Sequence, residues 1–226
     1  MTTLRYPGVE HQPGGEEKPG RLAQGIRRVL RAQFGRPTGL LGGVAGFIMA
    51  RTPSNLDRIR WTLSLLDVKP RDRVLEVGFG PGVAIALLSR LAGQGLVVGI
   101  DHSDAMVRRA ARRNAKAIRE GRVALHCAPA SDPPAFAGLF DKILTINSIH
   151  FWNDPVACLG VLRGRLRPGG LMAVTLQPRM RTATDESAAI LGEEIAANLR
   201  RAGFSHCDVK IRKSRPVAMA CVLATN

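Results

Sequence analysis

The stretch RVLEVGFGPGVAIALLSRL, Arg73 to Leu91, constrains the fold more than any other part of the chain. A short apolar run enters a glycine-rich turn, and a helical pattern follows. The run, about Arg73 to Val77, is apolar on both faces except at Glu76. The next strand, GLVVGID from Gly95 to Asp101, is nearly unbroken in the same way. Strands apolar on both faces belong to parallel sheets covered by helices on each side.

The rest of the chain keeps this rhythm. SDAMVRRAARRNAKAI is the next helix, with Ser103 as its cap and Asp104 near the positive end of its dipole. RVALHCA is the third strand and FDKILTINSI, Phe140 to Ile149, the fourth. A helix from about Pro155 to Leu166 leads through RPGG (Arg167 to Gly170) into the fifth strand, LMAVTLQ. After a helix over Asp185 to Ala202, HCDVKIRK and PVAMACVLAT close the chain as an antiparallel pair with Pro216 at the turn. The expected fold is α/β: a Rossmann-like, mostly parallel sheet with right-handed crossovers and helices on both faces.

The 226 residues, 45% of them hydrophobic, fit one domain with a sizeable core. Residues 1–20, rich in Pro, Gly and Glu, read as a disordered tail. Residues 21–66 read as a helical, glycine-hinged segment that could close over a site as a lid and recognise a substrate. In it, Ser54 or Asn55 is placed to N-cap a helix through LDRIRWTLSLLDV. Residues 67–226 form the core. The apolar run Gly39 to Ala50 is too short and glycine-rich to span a bilayer, and the first residues lack a secretory signal. Four scattered cysteines, without a CxxC pair, indicate reduced thiols, a cytoplasmic protein and no metal site.

The glycine loop carries the chemistry. Glu76, Gly78, Gly80 and Gly82 are spaced E-x-G-x-G-x-G. Glycines there permit positive φ and let a ligand approach the main chain. A dinucleotide loop wants G-x-G-x-x-G with its pyrophosphate on the helix N-terminus. Val83 stands at the third glycine of that pattern, Pro81 has no N–H to offer, and Glu76 would repel a diphosphate. Asp101, ending the second strand, can accept both hydroxyls of a ribose. A ribose-bearing, phosphate-free, cationic cofactor satisfies all of this, and S-adenosylmethionine is such a molecule.

With VLEVGFGPG, VVGIDHSDAMVRRA, FDKILTINSIHFW and LRPGG, the chain resembles the class I S-adenosylmethionine-dependent methyltransferases from about Leu56 to Asn226. The resemblance implies a seven-stranded sheet with an antiparallel last strand, and S-adenosylhomocysteine as product. It places Glu76, Gly78, Gly80 and Gly82 around the methionine portion and Asp101 on the ribose. His102 and Ser103 come to lie at the adenosine edge, and Asn147, Ser148 and Ile149 face methyl donor and substrate. Many relatives carry Gly-Asp-Ala after the third strand, where this chain has Ala128-Pro129-Ala130. Adenine contact then falls to the Ala130 backbone N–H or to Asp132, which can equally be a turn residue before Pro133.

Methyl transfer is an in-line displacement that depends mainly on alignment and exclusion of water. A general base is needed only when the nucleophile must lose a proton; His150 is the candidate. Phe151 and Trp152 can wall the substrate pocket or serve as core aromatics. Arg36, Arg51 or Arg58 can pair with an acidic group on a substrate. The expected acceptor is a small molecule such as a secondary metabolite, quinone or lipid-like compound.

Net charge is +15, from 33 Lys+Arg against 18 Asp+Glu, concentrated in Arg21–Arg36, Arg108–Arg122 and Arg200–Arg215. Such a surface suits an RNA methyltransferase or peripheral contact with an anionic membrane. Scarce aromatics and Asn147-Ser148-Ile149-His150 in place of Asn-Pro-Pro-aromatic speak against nucleic acid. A non-catalytic S-adenosylmethionine-binding protein and a homodimer paired through the apolar segment are the remaining alternatives.

Overall fold

The computed structural model describes residues 53–178 and 182–226. The expected tail over 1–20 and the lid up to residue 52 lie outside the described residues. Helices α1 (Pro53–Leu66), α2 (Val83–Leu91), α3 (Asp104–Arg113), α4 (Ala115–Arg119), α5 (Pro155–Arg163) and α6 (Asp185–Arg201) alternate with seven strands. These are β1 (Arg73–Val77), β2 (Leu96–Asp101), β3 (Val123–Cys127), β4 (Phe140–Ile146), β5 (Leu166–Leu176), β6 (Ser205–Arg212) and β7 (Met219–Thr225).

All seven strands share one sheet, in the order β3-β2-β1-β4-β5-β7-β6. The first five pair in parallel, and β7 runs antiparallel between β5 and β6. The closing antiparallel pair is as expected. From β1 the chain grows outward through β2 to β3, whereas β4 and everything after it lies on the other side. The sheet therefore switches direction between β1 and β4, and their carboxyl ends leave a crevice open to a ligand.

Period-two alternation splits the core into two layers. Val74, Val97 and Leu144 face α1, α2, α3 and α4, where they meet Ile59, Ile85, Leu88 and Ala110. Leu75, Val98 and Ile143 face α5 and α6, against Leu159, Leu162, Leu191 and Ile195. Helix α6 buries Ala188, Leu191, Ile195 and Leu199, three to four residues apart along one face. Helix α1 does the same with Ile59, Thr62, Leu63 and Leu66.

Several boundaries differ from the sequence reading. Helix α1 begins at Pro53, so Ser54 and Asn55 sit inside its first turn instead of capping it. The helix expected over 103–118 breaks at Asn114 into α3 and α4. Ser103 occupies the cap position of α3, but its side chain makes no capping bond; its N–H donates to Asp101 Oδ1 at 2.9 Å. Strand β4 stops at Ile146, because Asn147 turns into the left-handed region at φ 51°, and Ile149–Phe151 forms a 3-10 turn. The RPGG run lies within β5, whose register against β4 shifts between Phe140 and Lys142.

Candidate active site

The glycine turn is shaped from both sides. The Gly78 N–H donates to Ile100 O at 2.8 Å and the Gly82 N–H to Phe79 O at 3.0 Å, so the loop curls back over the end of β2. Gly78, Gly80 and Gly82 all have positive φ, at 76°, 51° and 73°. Their reasons for lacking a side chain differ. A Cβ on Gly78 would stand 2.1 Å from Ser148 Oγ, and one on Gly82 2.6 Å from Ala110 Cβ. A Cβ on Gly80 would meet nothing within 4 Å, so this glycine faces open space.

Two side chains outside the sequence reading hold the loop from behind. Asn114, 4% exposed, donates from Nδ2 to Gly82 O at 3.1 Å and to Ala110 O at 2.8 Å. Arg113 Nε donates to Pro81 O at 2.9 Å. The helix break that makes Asn114 available was not readable from an amphipathic pattern that runs straight through it. Gly99 is a third support: a Cβ there would be 2.6 Å from Phe79 Cδ1, so the bare strand position makes room for the ring.

A cleft of about 270 Å³ opens where β1, β2 and β4 end. Its lining includes Glu76, Gly78, Gly80, Asp101, His102, Ser103 and Asn147. Asn55 and Ile59 from α1, Met106 from α3, Ser148 and Phe151 also line it. A larger hollow of about 450 Å³ lies between α1 and α2, but no strand end or glycine loop contributes to it. The chemistry belongs to the smaller cleft.

Two carboxylates dominate its electrostatics. Asp101 accepts from the Gly80 N–H at 2.8 Å through Oδ2 and from the Ser103 N–H through Oδ1, which leaves lone pairs on both oxygens. Glu76 is 3% exposed, and its Oε2 has no hydrogen-bond partner among the described residues. Burial, with the Asp101 charge adding to it, pushes the Glu76 carboxyl up to about 8, although the Ile85 N–H pulls the other way. A buried acid left half-satisfied in an open cleft is built for a cationic or hydrogen-bond-donating ligand.

The remaining predicted residues sit elsewhere. Gly82 packs behind the loop and does not line the cleft. Ala130 is half-buried against the α5–α6 layer, and Asp132 is exposed, its N–H closing a turn on Pro129 O at 3.3 Å. Neither lines the cleft. His150 also stands outside the lining, its ring 4.0 Å from that of Phe151, which is 50% exposed. Trp152 packs against the core. Among the described residues no cluster of His, Cys, Asp and Glu could hold a metal ion.

A methyltransferase-domain family model matches residues 74–170, from β1 into β5. The uncharacterized methyltransferase YdaC of Bacillus subtilis is 33% identical over 184 residues, covering 80% of this chain and 97% of YdaC. The chain belongs to the class I S-adenosylmethionine-dependent methyltransferases. A 27-O-demethylrifamycin SV methyltransferase of Amycolatopsis mediterranei is 32% identical over 110 residues, 49% of this chain and 40% of that protein. The N-methyltransferase NodS of Bradyrhizobium japonicum, solved with S-adenosyl-l-homocysteine, superposes with a TM-score of 0.63 at 16% identity. That likeness, over 88% of this chain and 97% of NodS, is one of fold.

The methyltransferase's cofactor is S-adenosylmethionine, and the cleft fits it. Unpartnered Glu76 Oε2 and the lone pairs of Asp101 offer acceptors to an ammonium and to ribose hydroxyls. Gly80 leaves the main chain bare where the cofactor would lie.

Proposed function

We propose that this methyltransferase acts on a small, partly apolar acceptor bound beside the cofactor. The observation that carries this reading is the composition of the cleft at the ends of β1, β2 and β4. The buried carboxylates and the glycine loop give way, within one lining, to Ile59, Phe151 and the amide of Asn147. Apolar walls with a few oriented polar groups are how small-molecule sites obtain both affinity and orientation. Rifamycin methylation by a relative agrees with an acceptor of this kind.

S-adenosylmethionine supplies an electrophilic methyl group on its sulfonium. Asp101 and Glu76 would hold it, and Gly78 and Gly80 would let it lie against the main chain. Phe151 and Ile59 would shield the reacting atoms from water. His150 would act as a base only if the ring moves past Phe151, so its role depends on an acceptor that must lose a proton.

The test is S-adenosylhomocysteine formation over a panel of phenols, quinols, carboxylic acids and amines. Turnover with at least one class, lost in Asp101→Ala and in a variant lacking residues 1–50, is the expected result. Full activity without residues 1–50 would overturn the lid assignment. An RNA acceptor is the second reading. It draws on residues 104–122, where seven cations face two acids and Arg108, Arg112, Arg113, Lys116 and Arg119 are exposed. Turnover confined to RNA, and falling steeply with added salt, would favour it.

A further inference from the structure

At the end of β4 the chain spends backbone strain and a buried charge on the orientation of one amide. Asn147 has φ 51°, a conformation rare outside glycine and tolerated best by asparagine. Its N–H donates to Thr175 O at 2.8 Å, and its Oδ1 accepts from the Gln177 N–H at 2.8 Å. Since only oxygen can accept that bond, the amide flip is fixed and Nδ2 is turned away from β5. Nδ2 is buried, has no hydrogen-bond partner among the described residues, and belongs to a residue that lines the cleft.

Gln177, 4% exposed, is itself clamped. Its Nε2 donates to Val217 O at 2.7 Å and to Arg215 O at 3.3 Å, and its Oε1 accepts from Arg58 Nη1 at 2.7 Å. Arg58 is 1% exposed, and its Nη2 reaches Asn55 Oδ1 at 3.3 Å. Burying a guanidinium is costly unless hydrogen bonds compensate it. Here those bonds tie α1, at the neighbours of cleft residues Asn55 and Ile59, to the residue that orients Asn147.

We propose that Gln177 and Arg58 are positioning residues that hold the Asn147 Nδ2–H as a donor to an oxygen of the methyl acceptor, such as a carbonyl, carboxylate or phenolate. The proposal rests on the methyltransferase reading of the cleft. The carboxylates at its other end offer acceptors and suit the cofactor, whereas an unsatisfied donor calls for an oxygen-bearing partner.

The test uses 15N NMR of the Asn147 side-chain amide, identified by its loss in Asn147→Asp. The full chain is first saturated with S-adenosylhomocysteine and then titrated with formate, with chloride as the ionic-strength control. The amide pair is expected to shift with formate and not with chloride. Gln177→Met should move the pair and weaken the formate response about tenfold. Arg58→Lys should restore most of what Arg58→Met removes, and Gln177→Glu provides a gentler variant should Gln177→Met fold poorly. A purely structural role would lower the melting temperature and leave the amide pair unmoved, which would overturn the proposal. Insensitivity to formate, or an equal shift on adding S-adenosylhomocysteine alone, would overturn it as well. Failure of S-adenosylhomocysteine to bind by calorimetry would instead count against the cofactor reading.

Discussion

The two halves of the cleft are built by different means. On one side the main chain does most of the work: three positive-φ glycines, two strand ends and two carboxylates whose positions follow from where β1 and β2 stop. On the other side Ile59, Asn147 and Phe151 come from a helix, a strained residue and a 3-10 turn; Asn147 is tied to the Gln177 N–H, and the Gln177 side chain to Arg58, 119 positions away. A backbone-built half should fail abruptly when one atom is misplaced. A side-chain-built half should be tunable, and it is there that acceptors can differ between relatives sharing a fold.

The sharpest way to break this comparison is Asp101→Ala against Phe151→Ala. The first removes the proposed ribose acceptor and unties both Gly80 and Ser103. Calorimetry should show S-adenosylmethionine affinity falling by about 100-fold or more in Asp101→Ala. Phe151→Ala should change it by less than about threefold, its cost appearing only with an acceptor present. Equal losses in the two variants would mean that the halves are not separable.

Within the glycine loop, Gly78→Ala should destabilise the fold by about 2 kcal/mol, because strain at φ 76° adds to the overlap with Ser148. Gly80→Ala, with open space before it, should cost about 1 kcal/mol. Denaturant melts of the two variants decide this; an inverted order would remove the distinction between packed glycines and those facing open space.

This division also explains what could be read in advance. The alternation of apolar strands with helices is a local pattern, so the parallel sheet and the cleft position of Glu76, Gly80 and Asp101 were legible, while the antiparallel closing pair was read from two adjacent apolar segments and the family resemblance. Ser103 was placed at the right cap position, but its side chain makes no capping bond, and its N–H donates to Asp101. The break at Asn114, the buried Arg58 and the clamp on Gln177 rest on contacts between residues far apart in sequence, and Gln177 and Arg58 are separated by 119 positions. No periodicity records such pairs. His150 and Asp132 were chosen for residue type and strand-end position, but the turns that follow β4 and β3 leave both outside the lining.

A pH series sharpens the electrostatic side of the comparison. With its carboxyl near 8, Glu76 is protonated in the cofactor-free site at neutral pH. A cationic cofactor favours the charged form, so binding expels that proton and affinity should rise with pH, by up to about tenfold per unit, levelling off above about 8. Glu76→Gln should remove this part of the slope, which separates it from titration of the cofactor itself. The same shift has a stability consequence. As pH rises from the ordinary carboxylate range toward 8, the unfolded chain gives up a proton that the fold retains. The cofactor-free wild type should therefore lose thermal stability over that window relative to Glu76→Gln. A flat difference between the two would mean that Glu76 is ionised in the empty cleft.

The smallest expected effect probes how much support the loop needs from outside. Arg113 is exposed and makes one hydrogen bond to Pro81 O, whereas Asn114 is buried and bonds both Gly82 and Ala110. A solvent-exposed bond trades against water and contributes little net free energy. Arg113→Ala should therefore weaken S-adenosylmethionine binding by only about threefold. Asn114→Ala should lower fold stability before it changes the intrinsic affinity of the folded site. If Arg113→Ala lost as much affinity as Asp101→Ala, the glycine turn would not be self-supporting, and the cofactor half would depend on distant side chains as the acceptor half does.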